Sequence, residues 1–226
     1  RPVPIGISAP PPRGGRIGPL KTLNSVVTLA RHGTMSGSSD AGNGRSSNRR
    51  LVSGWQGRFY EDFAIGDIYK HPYGRTVTET DDVWLTNVTM NLNPMHFNEV
   101  YAAATEFGER LVNSVVVFGI ATGMSVIDVS QNSTAALGFD EIRMHAPTFH
   151  GDTLFAESEV LSKRESESRD HVGIVTTELR AFKQDGTKVM SLERSNFILK
   201  REYADPSPEQ PPGWPPDVGT QPDDLG

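Results

Sequence analysis

The stretch VGIVTTELRAFKQDGTKVMSLERSNFILK, from Val172 to Lys200, predicts two long strands joined by a tight turn. Between Val172 and Phe182 the side chains fall into two alternating sets, as expected for residues that face opposite sides of a sheet. The run from Gln184 to Thr187 contains an Asp-Gly pair, which is typical of hairpin turns. Val189 to Lys200 would then return as the second, antiparallel strand.

The segments before this hairpin predict more sheet and one buried helix. Thr153 to Leu161 alternates in the manner of a strand that packs on one face. The apolar-biased stretch from Leu111 to Val129 predicts a helix from about Ser114 to Val129. The inner face of the sheet needs an apolar cover, and this helix is the only element apolar enough to provide it. We therefore predict an α+β fold in which a long central helix is covered by a largely antiparallel sheet.

Shorter elements are expected before the central helix. Asp67 to Val77 has β-type residues around a turn, and Thr78 opens a helix-like stretch with acidic residues in its first turn. Asn98 is expected to cap a second helix. Apolar residues recur in that helix at spacings of three and four, at Tyr101, Ala104, Phe107 and Leu111.

The composition changes at both ends of this region. Residues 1–57 are rich in Gly, Ser, Pro and Arg, and we predict a disordered N-terminal extension. An acid-poor start that contains Arg is also compatible with an organellar transit peptide, although the density of Pro and Gly opposes the helix that such peptides form. Residues 202–226 are predicted to form a disordered, Pro-rich acidic tail. The predicted globular domain is residues 58–201.

The bulk properties exclude several classes of function. The net charge of −6 argues against nucleic acid as a partner. No apolar run reaches the roughly 18–20 residues that span a bilayer, so no membrane partner is expected. The absence of cysteine excludes disulfides, thiolate zinc sites and a Cys nucleophile, and it fits a reducing compartment. The histidines lack the spacing of a metal site. We expect a cytoplasmic protein that binds no metal.

The run TMNLNPMHFN, from Thr89 to Asn98, contains the residues that indicate chemistry. Asn93-Pro94 is a turn signal that ends the preceding helix. His96 follows just before the Asn98 cap, where an imidazole could act as a general acid or base near neutral pH. For a lone histidine, the alternative interpretation is a ring held by local backbone hydrogen bonds.

This run resembles the signature of MaoC-like dehydratases and R-specific enoyl-CoA hydratases. In that family an S-G-D-x-N-P-x-H-x-[DN] stretch is followed by a helix that ends F-G-x-x-I-x-H-G-M. Asn93, Pro94 and His96 match directly, as does Phe107-Gly108, with Leu111 at the Ile position. A second stretch, PTFHGDTL from Pro147 to Leu154, is similar to the family's P-x-x-x-G-D-T-L segment. The resemblance covers about residues 58–201.

The resemblance implies a hot-dog fold that works as a homodimer or as a double hot-dog. It also implies reversible addition of water to the double bond of a 2-enoyl coenzyme A thioester, with no cofactor beyond the coenzyme A of the substrate. In the family, an Asp and a His activate the water, and a backbone N–H polarises the thioester carbonyl. His96 takes the place of that His, and Ser114 the place of that N–H.

The sequence departs from the family at two positions. The catalytic Asp aligns with Asn91, and the H-G pair aligns with Asn113-Ser114. Because an amide does not accept a proton at neutral pH, the site has lost its activity, or His96 transfers the proton while Asn91 positions water. In a third interpretation, Asn91 removes the charge repulsion that a carboxylate-bearing substrate would meet. That substrate would be a dicarboxylic acyl-CoA, of the mesaconyl, itaconyl or methylmalyl type.

The site predicted from the sequence therefore has a catalytic and a substrate-binding part. His96 and Asn91 are the predicted catalytic residues. The predicted substrate-binding residues are Asn93, Asn113, Ser114 and Arg143. A non-catalytic acyl-thioester binder and a hot-dog thioesterase are the alternative functions. Among the other polar residues, Asp128 is expected to face solvent at a helix end, and His145 and His150 are expected to be ordinary loop histidines.

Overall fold

A computed structural model describes residues 54–204 of the 226-residue chain. The predicted disordered extension, residues 1–57, lies outside the described residues except for 54–57. The predicted acidic tail, residues 202–226, lies outside them except for 202–204. The described part of the chain contains six strands and three α-helices.

The six strands form one sheet in which every pairing is antiparallel. Its order is β1-β4-β5-β6-β3, and the short β2 also pairs with β4. The strands are β1 Ile68–Lys70, β2 Arg75–Thr76, β3 Ser133–Met144, β4 Thr153–Glu165, β5 Val172–Lys183 and β6 Lys188–Leu199. The hairpin predicted between Val172 and Lys200 is confirmed as β5 and β6, and the turn that joins them contains Gly186. Gly186 has a φ of +85°, a conformation that glycine adopts without strain.

The helices lie at the positions that the sequence predicts, with one exception in length. They are α1 Glu79–Val88, α2 Glu99–Ala103 and α3 Ser114–Met124. Thr78 caps α1 through a reciprocal pair of hydrogen bonds with Asp81. The chain continues from α3 into a single π-helical turn, Val126–Ser130, so the predicted central helix is confirmed over nearly its whole length.

The second helix was predicted to extend towards Leu111, and this was wrong. It ends at Ala103, where the Thr105 hydroxyl donates to the carbonyl of Ala102 at 2.7 Å. Gly108 then adopts a φ of +71°, and Leu111 forms an isolated bridge with Phe149. This pairing with a distant segment outweighs the helical spacing of the apolar residues, as tertiary contacts commonly do.

The central helix packs on the inner face of the sheet. Val116, Val117 and Ala121 are at most 2% exposed, and they belong to one cluster with side chains of three central strands, including Leu154, Leu179 and Leu192. Burial of such side chains supplies most of the driving force for folding. The predicted architecture of a helix covered by an antiparallel sheet is confirmed, and it fixes the position of the N-terminus of α3.

Candidate active site

The N-terminus of the central helix is the focus of the site. Asn113 caps α3, because its Oδ1 accepts a hydrogen bond from the Val115 N–H at 3.1 Å. Ser114 is the first residue of the helix, where backbone N–H groups have no partner in a preceding turn. The helix dipole places partial positive charge at this end. A developing negative charge would be stabilised beside Ser114.

A buried acid holds this helix start in place. Asp82, on α1, is fully buried, and its Oδ1 accepts from the Asn113 N–H at 2.8 Å. Its Oδ2 lies 2.8 Å from Nε2 of His150. The Asn113 side chain also donates to the Thr86 hydroxyl at 3.3 Å. His150 is therefore not an ordinary loop histidine, because it is paired with the carboxylate that orients α3.

His96 is fixed against the segment that leads into α3. It ends a 3₁₀ turn, Pro94–His96, and its Nδ1 lies 2.7 Å from the Leu111 carbonyl. A carbonyl only accepts, so Nδ1 bears the hydrogen and Nε2 presents its lone pair. Nε2 has no hydrogen-bond partner among the described residues, and it is not fully buried. It therefore reaches solvent, although His96 as a whole is only 8% exposed.

The two other asparagines of the predicted site shape the turn before His96. Asn91 accepts a hydrogen bond from the Asn93 N–H at 3.1 Å, and its own N–H donates to the Thr86 carbonyl at 3.0 Å. Asn93 accepts from the Met95 N–H at 3.1 Å. Each oxygen accepts one hydrogen bond in a local turn, and the side-chain amide hydrogens of both residues have no partner among the described residues. No hydrogen bond joins Asn91 to His96 within residues 54–204.

A cleft of about 290 Å³ opens at the N-terminus of α3. Its lining includes Leu111, Ser114, Met144, His145 and Thr148. His96 is not among the residues that line the cleft. Its ring is hydrogen-bonded to the carbonyl of Leu111, which does line the cleft. His145, predicted to be an ordinary loop histidine, thus lines the cleft, and its Nε2 lies 2.8 Å from the Ser191 hydroxyl.

Two other clefts contain none of the predicted site residues. One, of about 390 Å³, lies beside Trp84 and Ile120. The other, of about 480 Å³, is lined by Trp55, Arg58 and Arg201 among others. The cleft at Ser114 is the smallest of the three, but it is the one lined by the first residue of the central helix and by Leu111, whose carbonyl holds His96. We identify it as the candidate active site.

Arg143 lies near this cleft without lining it. It is on β3, directly before the lining residues Met144 and His145, and its guanidinium is paired with Glu141 on the same strand. Its side chain is 65% exposed. Its binding of substrate stays a prediction, as do the roles of His96, Asn91, Asn93, Asn113 and Ser114.

A second buried polar cluster corrects the interpretation of Asp128. Asp128 was expected to face solvent, but its Oδ2 lies 2.9 Å from Nδ1 of His71, and its Oδ1 accepts from Arg58 at 2.8 Å. Nε2 of His71 lies 2.9 Å from the hydroxyl of Ser158. Ser158 is fully buried, so this Ser-His-Asp arrangement is closed to any substrate. Burial raises the pKa of Asp128, but the hydrogen bonds from His71 and Arg58 outweigh it and hold that pKa below its usual value.

Acid is expected to weaken the folded domain through His71. Burial lowers the pKa of His71 below 6.5, although Asp128 opposes the shift. The unfolded chain therefore binds a proton more readily than the folded chain, and stability is lost as the pH falls below about 6.5. Urea unfolding at about pH 7.5 and about pH 5.5 should show a fall in stability that is smaller in His71→Gln. An equal fall in both proteins would contradict this assignment.

Comparison with solved structures supports the fold. A conserved hypothetical protein from Mycobacterium tuberculosis, described as having a double hot-dog fold, aligns with a TM-score of 0.61 at 19% identity, over 69% of this chain and 48% of that one. A putative MaoC domain protein dehydratase from Chloroflexus aurantiacus aligns with a TM-score of 0.63 at 28% identity, over 77% of this chain and 48% of that one. The described region is thus a hot-dog domain of the MaoC-like type.

The family follows from the sequence. The model of the mesaconyl-CoA hydratase family matches residues 43–210, and the chain belongs to that family. The mesaconyl-CoA hydratase of Cereibacter sphaeroides is 32% identical over 152 residues, which are 67% of this chain and 44% of that protein. The chain therefore spans less than half the length of this relative. None of the helices within residues 54–204 is long and apolar enough to cross a membrane.

Proposed function

We propose that this protein adds water reversibly to the double bond of a 2-enoyl-CoA thioester, and that its substrate is a dicarboxylic C5 acyl-CoA such as mesaconyl-CoA. The observation that supports this most strongly is the fixed tautomer of His96. Its Nδ1 is bonded to the carbonyl of Leu111, which lines the cleft at the start of α3, and its Nε2 has no partner among the described residues. The mesaconyl-CoA hydratase of Cereibacter sphaeroides supports the same substrate class.

In the proposed reaction, His96 acts as the general base. Nε2 accepts a proton from water while the water oxygen bonds to the β-carbon of the enoyl group. The electron pair of the double bond moves towards the thioester carbonyl, whose oxygen gains negative charge. The Ser114 N–H and the α3 dipole stabilise that oxygen. The imidazolium then returns its proton to the α-carbon, which completes the hydration.

Asn91 has a positioning role in this proposal. Its Oδ1 is occupied by the Asn93 N–H, which leaves the side-chain amide hydrogens as donors to water or to a substrate carboxylate. Asn91 is not among the residues that line the cleft. An aspartate at this position, near His96 in the sequence, would add a negative charge that disfavours a substrate with a second carboxylate. A neutral side chain therefore suits a dicarboxylic substrate.

The function is tested by following two signals with mesaconyl-CoA and with crotonyl-CoA. Hydration removes the absorbance of the conjugated thioester and releases no thiol. We expect this with mesaconyl-CoA, and more slowly with crotonyl-CoA, which lacks the second carboxylate. Release of thiol would indicate a thioesterase. Binding without either change would indicate a non-catalytic acyl-thioester binder.

We also propose that the domain pairs with a second copy of itself in the cytoplasm. β3 is an edge strand of the sheet. It exposes four large apolar side chains at between 40% and 49%, namely Leu137, Phe139, Ile142 and Met144. An exposed apolar edge strand favours association. Light scattering on the purified chain should give twice the mass of one chain, and a single-chain mass at all concentrations would contradict the pairing.

A further inference from the structure

Thr148 lines the candidate active site and has a buried hydroxyl without a partner among the described residues. It lies in the loop between β3 and β4, is 2% exposed and lines the cleft with Ser114. Its carbonyl accepts a hydrogen bond from the Val112 N–H at 2.9 Å, which ties the loop to the segment before α3. Its Oγ1 has no hydrogen-bond partner within the described residues.

A buried hydroxyl without a partner destabilises a folded protein, because it has lost its hydrogen bonds to water. A valine has nearly the same shape and would avoid that cost. The hydroxyl regains a favourable interaction when a bound molecule brings an oxygen to it. Thr148 lines the cleft, so a molecule bound there lies against this residue. Oγ1 itself is fully buried in the unbound protein, and rotation about χ1 would turn it towards such a molecule.

The charge around the cleft favours a negatively charged acceptor. No Asp or Glu is among the residues that line it within residues 54–204. The N-terminus of α3 contributes partial positive charge through Ser114. Apart from Ser114, His145 and Thr148, the lining is apolar, which suits a short carbon chain. The cleft therefore combines an apolar wall with donors for an anionic group.

We infer that the Thr148 hydroxyl donates a hydrogen bond to the distal carboxylate of a dicarboxylic acyl group, and so selects such substrates over uncharged ones of the same length. This inference rests on the proposed function for the presence of an acyl-CoA in the cleft. It adds a specificity-determining residue that is distinct from the proposed general base, His96, and from the carbonyl-binding N–H of Ser114.

The test is a binding measurement with two acyl-CoAs that cannot be hydrated. Methylsuccinyl-CoA and 2-methylbutyryl-CoA differ only in a terminal carboxylate in place of a methyl group. By calorimetry, Thr148→Val should bind methylsuccinyl-CoA about 10- to 100-fold more weakly than the unmodified full chain, the range for loss of one hydrogen bond to a charged group. Its affinity for 2-methylbutyryl-CoA should be unchanged, and Thr148→Ser should retain the preference.

Thr177→Val is the matched control. The Thr177 hydroxyl is also buried and unpartnered among the described residues, but it lies on β5 and does not line the cleft. This variant should bind both ligands like the unmodified chain. The inference is overturned if Thr148→Val weakens both ligands equally, if it weakens neither, or if the unmodified chain binds neither. Selective weakening in a chain that hydrates no enoyl-CoA would refute the proposed function and support the inference.

Discussion

Replacing His96 with glutamine is expected to lower kcat for hydration of mesaconyl-CoA by about 10²- to 10⁴-fold, the range for loss of a positioned acid or base. Glutamine offers an amide that can still donate to the Leu111 carbonyl, which accepts from Nδ1 of His96 at 2.7 Å. It has no group that accepts a proton at neutral pH. The loss should therefore appear in kcat, while the affinity for methylsuccinyl-CoA stays close to that of the unmodified protein.

His171→Gln is the control for this substitution. His171 is exposed directly before β5, where its ring contacts Tyr203 rather than the cleft. Its replacement should leave kcat unchanged. Full turnover in His96→Gln would show that this imidazole transfers no proton.

The second large effect is expected on stability. Asp82→Ala removes the acceptor of the Asn113 N–H and the partner of His150. Asp82 and Asn113 are buried, and His150 is partly buried. Loss of one partner from a buried pair commonly destabilises a protein by about 3–5 kcal/mol. We expect a decrease of about 3 kcal/mol in the free energy of unfolding, measured by chemical denaturation. The start of α3 should also lose its alignment, and activity should fall with it.

Two variants show whether this effect comes from the buried hydrogen bonds. Asp82→Asn retains an acceptor for the Asn113 N–H and should lose less stability than Asp82→Ala. Glu141→Ala removes an exposed acid that is paired with Arg143, so its stability should stay close to that of the unmodified chain. If Asp82→Ala were as stable as Glu141→Ala, Asp82 would not hold the helix start.

The sheet could be predicted where its side chains alternate in burial. Along β5, Val175, Leu179 and Ala181 are buried and their neighbours are less so, which is the pattern visible in the sequence. Strand β3 was not predicted. It is exposed over most of its length and contains three register irregularities against β6. Its apolar and polar residues therefore do not alternate regularly along the sequence.

The candidate site was predictable only in part. The run around His96 and the start of α3 can be found from the sequence, because the turn signal, the cap and the apolar helix are all local. Asp82 was missed because it follows Asp81, and both suit the first turn of a helix equally well. Only the fold shows that Asp81 caps α1 while Asp82 turns inward to His150. The free hydroxyl of Thr148 likewise depends on packing between segments that are distant in the sequence.

A crystal structure with bound methylsuccinyl-CoA tests the central claim most directly. The proposed site predicts the thioester oxygen within hydrogen-bond distance of the Ser114 N–H, with Nε2 of His96 facing the carbons that react in the unsaturated substrate. An acyl group bound in the cleft beside Trp84, or in the one lined by Trp55 and Arg201, would contradict it.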